Sequence, residues 1–181
     1  MRHPARWIAL GIGVALAAMG VVLATQVGTD PRADTTSSPL VGRSAPAFSV
    51  QTLDGETLSR DRLLGKVVVV NFWNTWCIPC RQEHDALTRF YARHAGDADF
   101  VMLAVVRDDT TRAVRSYQDE TADPWVIALD PRSSASLAFG TRGQPETYVL
   151  TPDGLVAGAQ IGPTTVDALE RMLQAARGAP S

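Results

Sequence analysis

Cys77 and Cys80 are the only two cysteines in the chain, three positions apart with Pro79 between them. Ahead of them runs Val67-Val68-Val69-Val70-Asn71-Phe72-Trp73, whose β-branched and aromatic residues predict a buried strand. Behind them, Arg81 to Phe90 predicts a helix. A Cys-x-x-Cys pair at such a handover is suited to thiol–disulfide exchange. The thiolate is the reactive form of cysteine, and the unpaired N–H groups and macrodipole of a helix start favour an anion there. Cysteines in these motifs have pKa values lowered to about 3.5–7.5. Cys77, the first and expected to be the more exposed, is the attacking thiolate, and Cys80 is the resolving thiol. Pro79 suits a first turn, where no N–H partner is needed. The alternative is a plain structural disulfide, but a ring this small constrains little of the unfolded chain.

The elements that must position this pair follow from the rest of the chain. With 45% hydrophobic and 20% charged residues among 181, the sequence can bury a real core and is not a mainly disordered chain. A net charge of −2 leaves no basic footprint for nucleic acid. Residues 1–6 are a short basic lead, and 7–27 carry no charged residue, long enough to span a bilayer as a helix. With Arg2 and Arg6 on the near side, the rest of the chain is expected to cross, leaving the cysteines on the extracytoplasmic side. The rival is a cleaved signal segment ending near Val22-Leu23-Ala24, but the apolar run exceeds a usual signal core, so an uncleaved anchor is preferred. Residues 28–40 read as a polar linker with two prolines, and a folded domain is expected over 41–178.

Within that domain, Asp54-Gly55 and Pro152-Asp153-Gly154 mark two hairpins. Strands are expected at 67–73, 100–106, 125–129, 146–150 and 155–160. Helices are expected at 78–94, 110–120, 133–139 and 164–176, the last turning Val166, Leu169, Met172 and Leu173 inward. Strands alternating with helices, then a hairpin and a helix, give an α/β layer fold with a mixed sheet.

Asn71-Phe72-Trp73-x-Thr75-Trp76-Cys77-x-Pro79-Cys80-Arg81-x-Glu83, with Gly143-Gln144-Pro145-Glu146-Thr147 downstream, resembles the membrane-tethered thioredoxin-like proteins of the TlpA, ResA and CcmG type. The resemblance spans about Val41 to Ala176. It implies a thioredoxin-like fold with an N-terminal hairpin and a central insertion around 100–129, behind a transmembrane helix. It implies reduction of disulfides in partner proteins outside the cytoplasm, chiefly apocytochrome c during cytochrome c maturation. A membrane carrier of the thiol-reducing type would recharge the dithiol, with no cofactor. It also makes Gln144–Pro145 a cis-proline loop beside the disulfide, and Trp76, Ile78, Pro79, Gln144, Pro145 and Glu146 the surface that meets a substrate. Trp76 is expected over the dithiol, and Glu146 to add negative charge beside it.

Cys80, Glu83, Leu87 and Phe90 fall on one helical stripe, which Leu87 and Phe90 mark as buried. Glu83 is thus the odd charge on an apolar face, where a carboxyl tends to hold its proton. Thioredoxin carries a buried acid where Asn71 stands, so proton handling falls to Glu83 and, second to it, Glu146. His84 lies off the stripe and is expected in solvent. Together with His94 it suggests a metal site, but His94 lies a helix length away. A copper chaperone would use wider cysteine spacing, and a peroxiredoxin-like enzyme needs residues before its cysteine that are not both present. A disulfide oxidase or isomerase runs the same chemistry in reverse. Nothing in the sequence calls for an oligomer, and a monomer is expected.

Overall fold

The computed structural model describes residues 38–130 and 132–178, together with residues 12, 13 and 16–19. The chain divides into one unit over Met1–Ala33 and another over Asp34–Ser181. In the first, the described residues are helical and exposed. The rest of the expected span over 7–27 lies outside the described residues, among which no helix is long and apolar enough to cross a membrane.

The second unit is built on one seven-stranded sheet. Its strands are β1 (Ser49–Thr52), β2 (Thr57–Ser59), β3 (Val67–Trp73), β4 (Phe100–Arg107), β5 (Val126–Asp130), β6 (Glu146–Leu150) and β7 (Val156–Ile161), in the order β2-β1-β5-β4-β3-β6-β7. β3, β4 and β5 run parallel, while β1 and β6 join them antiparallel. Four α-helices cover the sheet: α1 (Ile78–His94), α2 (Thr111–Thr121), α3 (Ser134–Phe139) and α4 (Val166–Gly178). The fold is the mixed α/β sheet expected of a thioredoxin-like chain.

β3 is the axis because every one of its residues is buried. A strand covered on both faces reads as a continuous apolar run rather than an alternating one. Val67, Val69 and Trp73 pack with Leu87 and Phe90 of α1, Val114 of α2 and Leu169, Met172 and Leu173 of α4. Val68, Val70 and Phe72 face the other way, onto Phe48, Phe139 of α3 and Tyr148. Burying each such side chain contributes about 1.5–3 kcal/mol. α4 lies so close to β7 that a Cβ built on Gly158 would stand 2.6 Å from Met172 Cγ.

Both hairpins form where the Asp-Gly steps placed them, with Gly55 and Gly154 at φ +87° and +79°, the left-handed region that glycine enters freely. Residues just ahead of the expected boundary at 41 already pack against the fold. Ser38 is only 7% exposed, Val41 donates its amide to the Ser38 carbonyl at 3.2 Å, and Leu40 packs against the Phe72 side of the core. The Val41 and Ser44 bridges to Val156 and Leu155 then cover the outer edge at the very start of β7, where it would otherwise offer unpaired backbone to another chain.

Candidate active site

β3 delivers the chain at Trp73 to a short loop, and α1 starts at Ile78, so Cys77 becomes the helix N-cap. Its backbone is extended, and its sulfur accepts the Cys80 amide at 3.2 Å. Pro79 sits in the first turn, where an imino nitrogen leaves nothing unpaired. Cys77 and Cys80 are disulfide-bonded. In the reduced form the same N–H and the helix dipole favour negative charge on the Cys77 sulfur.

Cys77 is not the more exposed of the two. It is 4% exposed and Cys80 5%, whereas Trp76 and Ile78 beside them are 58% and 71% exposed. The two apolar side chains stand forward and the sulfurs sit behind them. A second loop closes the site from β6. The Gln144–Pro145 peptide bond is cis, and the Gln144 carbonyl oxygen lies 3.8 Å from the Cys77 sulfur. Pro145 is buried and Gln144 half-buried.

Glu83, one turn along α1 from Cys80, is 2% exposed. Its Oε1 accepts from Asn71 Nδ2 at 2.9 Å, and its Oε2 from the Thr164 amide at 2.7 Å. Burial pushes its pKa up to about 7, and the two donors, which favour the carboxylate, pull it back only in part. The Asn71 amide is itself oriented by Thr147 Oγ1, 3.0 Å from the same nitrogen and paired with Asn71 across β3 and β6. The Thr164 hydroxyl is buried with no partner.

Glu146 is placed differently from the expectation that it would add charge beside the dithiol. It is 2% exposed and pairs with Phe72, so its side chain shares the face of Phe72 and Tyr148, the opposite side from α1. Its Oε1 accepts from the Arg142 and Gly143 amides at 2.8 and 3.2 Å, and its Oε2 from the Tyr148 hydroxyl at 2.9 Å. That hydroxyl is harder to ionise than usual, through burial and then its bond to Glu146. Glu146 therefore holds the loop that carries Pro145 from behind and is not presented to a docked chain.

His84 is half-buried rather than free in solvent. Its Nε2 lies 2.6 Å from Asp123 Oδ1, a residue 5% exposed in the loop between α2 and β5. Its ring meets Tyr117 edge-on at 6.0 Å. The Asp123 bond raises its pKa. His94 lies between Asp97 and Glu170 at 2.9 and 3.0 Å. His84 and His94 are thus engaged by carboxylates rather than turned toward the cysteines. Among the described residues, no group of three or more His, Cys, Asp or Glu side chains is placed to hold a metal ion.

The sequence reading assigns no role to Asn74, which stands where the resembled family usually has alanine, nor to Asp108, Asp109 or Thr164. Thr75 donates its amide and hydroxyl to Asp109 Oδ2 at 2.9 and 2.8 Å, and Asn74 and Trp76 both reach the Asp108 carbonyl. The one signal available was Thr110, the N-cap of α2, directly after two acids at the end of β4. Loops at the carboxyl ends of parallel strands are where α/β sheets place ligands.

Residues 40–173 match the Redoxin family. The chain is 36% identical over 159 residues to the thiol:disulfide interchange protein DsbE of Allochromatium vinosum, covering 86% of this chain and 83% of that one. It is 29% identical over 134 residues to the thiol-disulfide oxidoreductase ResA of Bacillus anthracis, covering 74% and 77%. Among solved structures it resembles a thiol:disulfide interchange protein of the thioredoxin family from Chlorobium tepidum, with a TM-score of 0.66 and 27% identity over 75% of this chain and 96% of that one. With its helix-capping disulfide and cis-proline loop, the chain belongs to the redoxin family and is a thiol-disulfide oxidoreductase of the thioredoxin fold.

Proposed function

We propose that the protein reduces disulfides in partner polypeptides on the extracytoplasmic side of a membrane, with apocytochrome c during cytochrome c maturation as the candidate partner. The observation that carries this is Cys77 capping α1, its sulfur 3.8 Å from the Gln144 carbonyl, with Glu83 buried one turn behind Cys80. In the reduced protein, the Cys77 thiolate attacks one sulfur of the partner's disulfide. That S–S bond breaks, a mixed disulfide forms, and the partner's leaving sulfur takes a proton. Glu83, with a proton affinity near neutrality, accepts the Cys80 proton. The Cys80 thiolate then attacks the Cys77 sulfur. The partner leaves with both sulfurs reduced, two electrons have moved, and Cys77–Cys80 is oxidised. Trp76, Ile78, Pro79, Gln144 and Pro145 form the docking face. A thiol-reducing carrier in the membrane returns the dithiol to its reduced form. The apolar, uncharged run over 7–27 supports an anchor that holds a monomeric domain at the membrane surface.

The test is the reduction potential of Cys77–Cys80 in glutathione or dithiothreitol buffers. A value near about −270 mV is expected for a reductant. One near about −120 mV would make the protein a disulfide-forming oxidant. Cys77→Ser should abolish reduction of a protein disulfide, and full activity in that variant would refute the mechanism.

A further inference from the structure

The loop from Asn74 to Trp76, between β3 and the disulfide, is held largely by one other loop. Asn74 is 0% exposed, and its Nδ2 donates to the Asp108 carbonyl oxygen at 3.2 Å. The Trp76 indole Nε1 donates to the same oxygen at 3.3 Å. Asp108 stands at φ +39°, a left-handed conformation that Asp enters more readily than most residues with a side chain. This backbone turn aims the Asp108 carbonyl at the two donors. Asn74 Oδ1, in contrast, is buried without a partner. An orphaned buried acceptor is destabilising, so the residue is poorly explained by packing. What it supplies is the N–H that keeps the Asp108 carbonyl in place.

We infer that Asn74 is a specificity-determining residue: by sharing the Asp108 carbonyl with Trp76 it fixes the exposed indole as a rigid plate, against which an extended, disulfide-bearing segment of a partner polypeptide docks. The inference rests on the reading of this face as the docking surface. The sulfurs lie behind Trp76 and Ile78, so a partner meets these two side chains before it reaches Cys77. A pre-ordered aromatic offers contact area without losing side-chain freedom on binding. Small disulfides need no such plate.

The experiment uses the reduced full-length protein. Its substrates are an oxidised peptide carrying Cys-x-x-Cys-His and, for comparison, glutathione disulfide. Asn74→Ala removes the donor, and Asn74→Asp keeps the shape while replacing the donor with an oxygen. Both should raise KM for the peptide about three- to tenfold with kcat held within about twofold. The preference for peptide over glutathione disulfide falls by the same factor. Hydrogen exchange at the Trp76 indole N–H, read by NMR in the oxidised protein, should quicken about tenfold. Wild-type KM and wild-type indole exchange in both variants would overturn the inference, as would a loss confined to kcat. If the wild type fails to turn over the peptide at all, the proposed function is wrong, while indole exchange still tests the clamp on its own.

Discussion

Glu83 makes the stability of this protein depend on pH in a direction opposite to most paired carboxylates. Burial raises its pKa from the usual 4.5 to about 7, so the folded chain binds a proton more tightly than the unfolded chain. That proton contributes stability fully below about pH 4.5, and the contribution is lost as pH rises through about 7. At about 1.36 kcal/mol per pKa unit, the full effect is about 3 kcal/mol, of which about 2.5 kcal/mol falls between pH 5 and pH 8. Glu83→Gln removes the titration. It also leaves one acceptor oxygen for two N–H donors, Asn71 Nδ2 and the Thr164 amide, at a pH-independent cost of about 1–3 kcal/mol. The informative quantity is the difference of differences: the stability advantage of the wild type over Glu83→Gln should shrink by about 2.5 kcal/mol from pH 5 to pH 8. In urea unfolding of the oxidised protein this is a relative midpoint shift of about 1 M. Every other titrating group, His84 included, is common to both proteins and cancels. Parallel pH profiles would mean that the two donors offset burial completely, which would refute the argument and remove the basis for Glu83 as a proton carrier near neutrality.

Two further outcomes follow from the packing. Gly158→Ala should destabilise the protein by about 1–3 kcal/mol in the same unfolding assay, because its Cβ would meet Met172 Cγ, near the start of that side chain; an unchanged midpoint would show that α4 can shift. Asp123→Asn should lower the pH at which the His84 ring titrates by NMR and remove stability that is present below about pH 6.5 and lost as pH rises through the raised His84 value; an unmoved titration would show that Asp123 is not its cause.

What was legible in the sequence was local or periodic. β3 and α1 were readable to the residue because a valine run and a cysteine motif abut. The Cys80, Glu83, Leu87 and Phe90 stripe was readable because helical spacing alone puts those residues on one face, and all four are buried. The misplacements concern partners supplied from afar. His84 looked solvated because its cover, Asp123, comes 39 residues later. Glu146 looked like a site residue because it follows Pro145, but its register with Phe72 turns it to the opposite face of the sheet. Cys77 looked the more exposed because a helix start is open until Trp76 and the loop at Gln144 are set around it. Asn74 stood out without a function, since its partner is a single carbonyl 34 residues away.

The bonds made by Glu146 divide the labour in the loop ahead of Pro145. Its carboxylate fixes the Arg142 and Gly143 amides from the back of the sheet, and buried Pro145 sets the chain direction beyond them. Gln144, between those anchors, touches Cys77 through its backbone carbonyl, an atom that every amino acid has. The shape of the loop is therefore held from the far side of the sheet. The side chain at position 144 can then change while the loop that presents its carbonyl to Cys77 stays as it is.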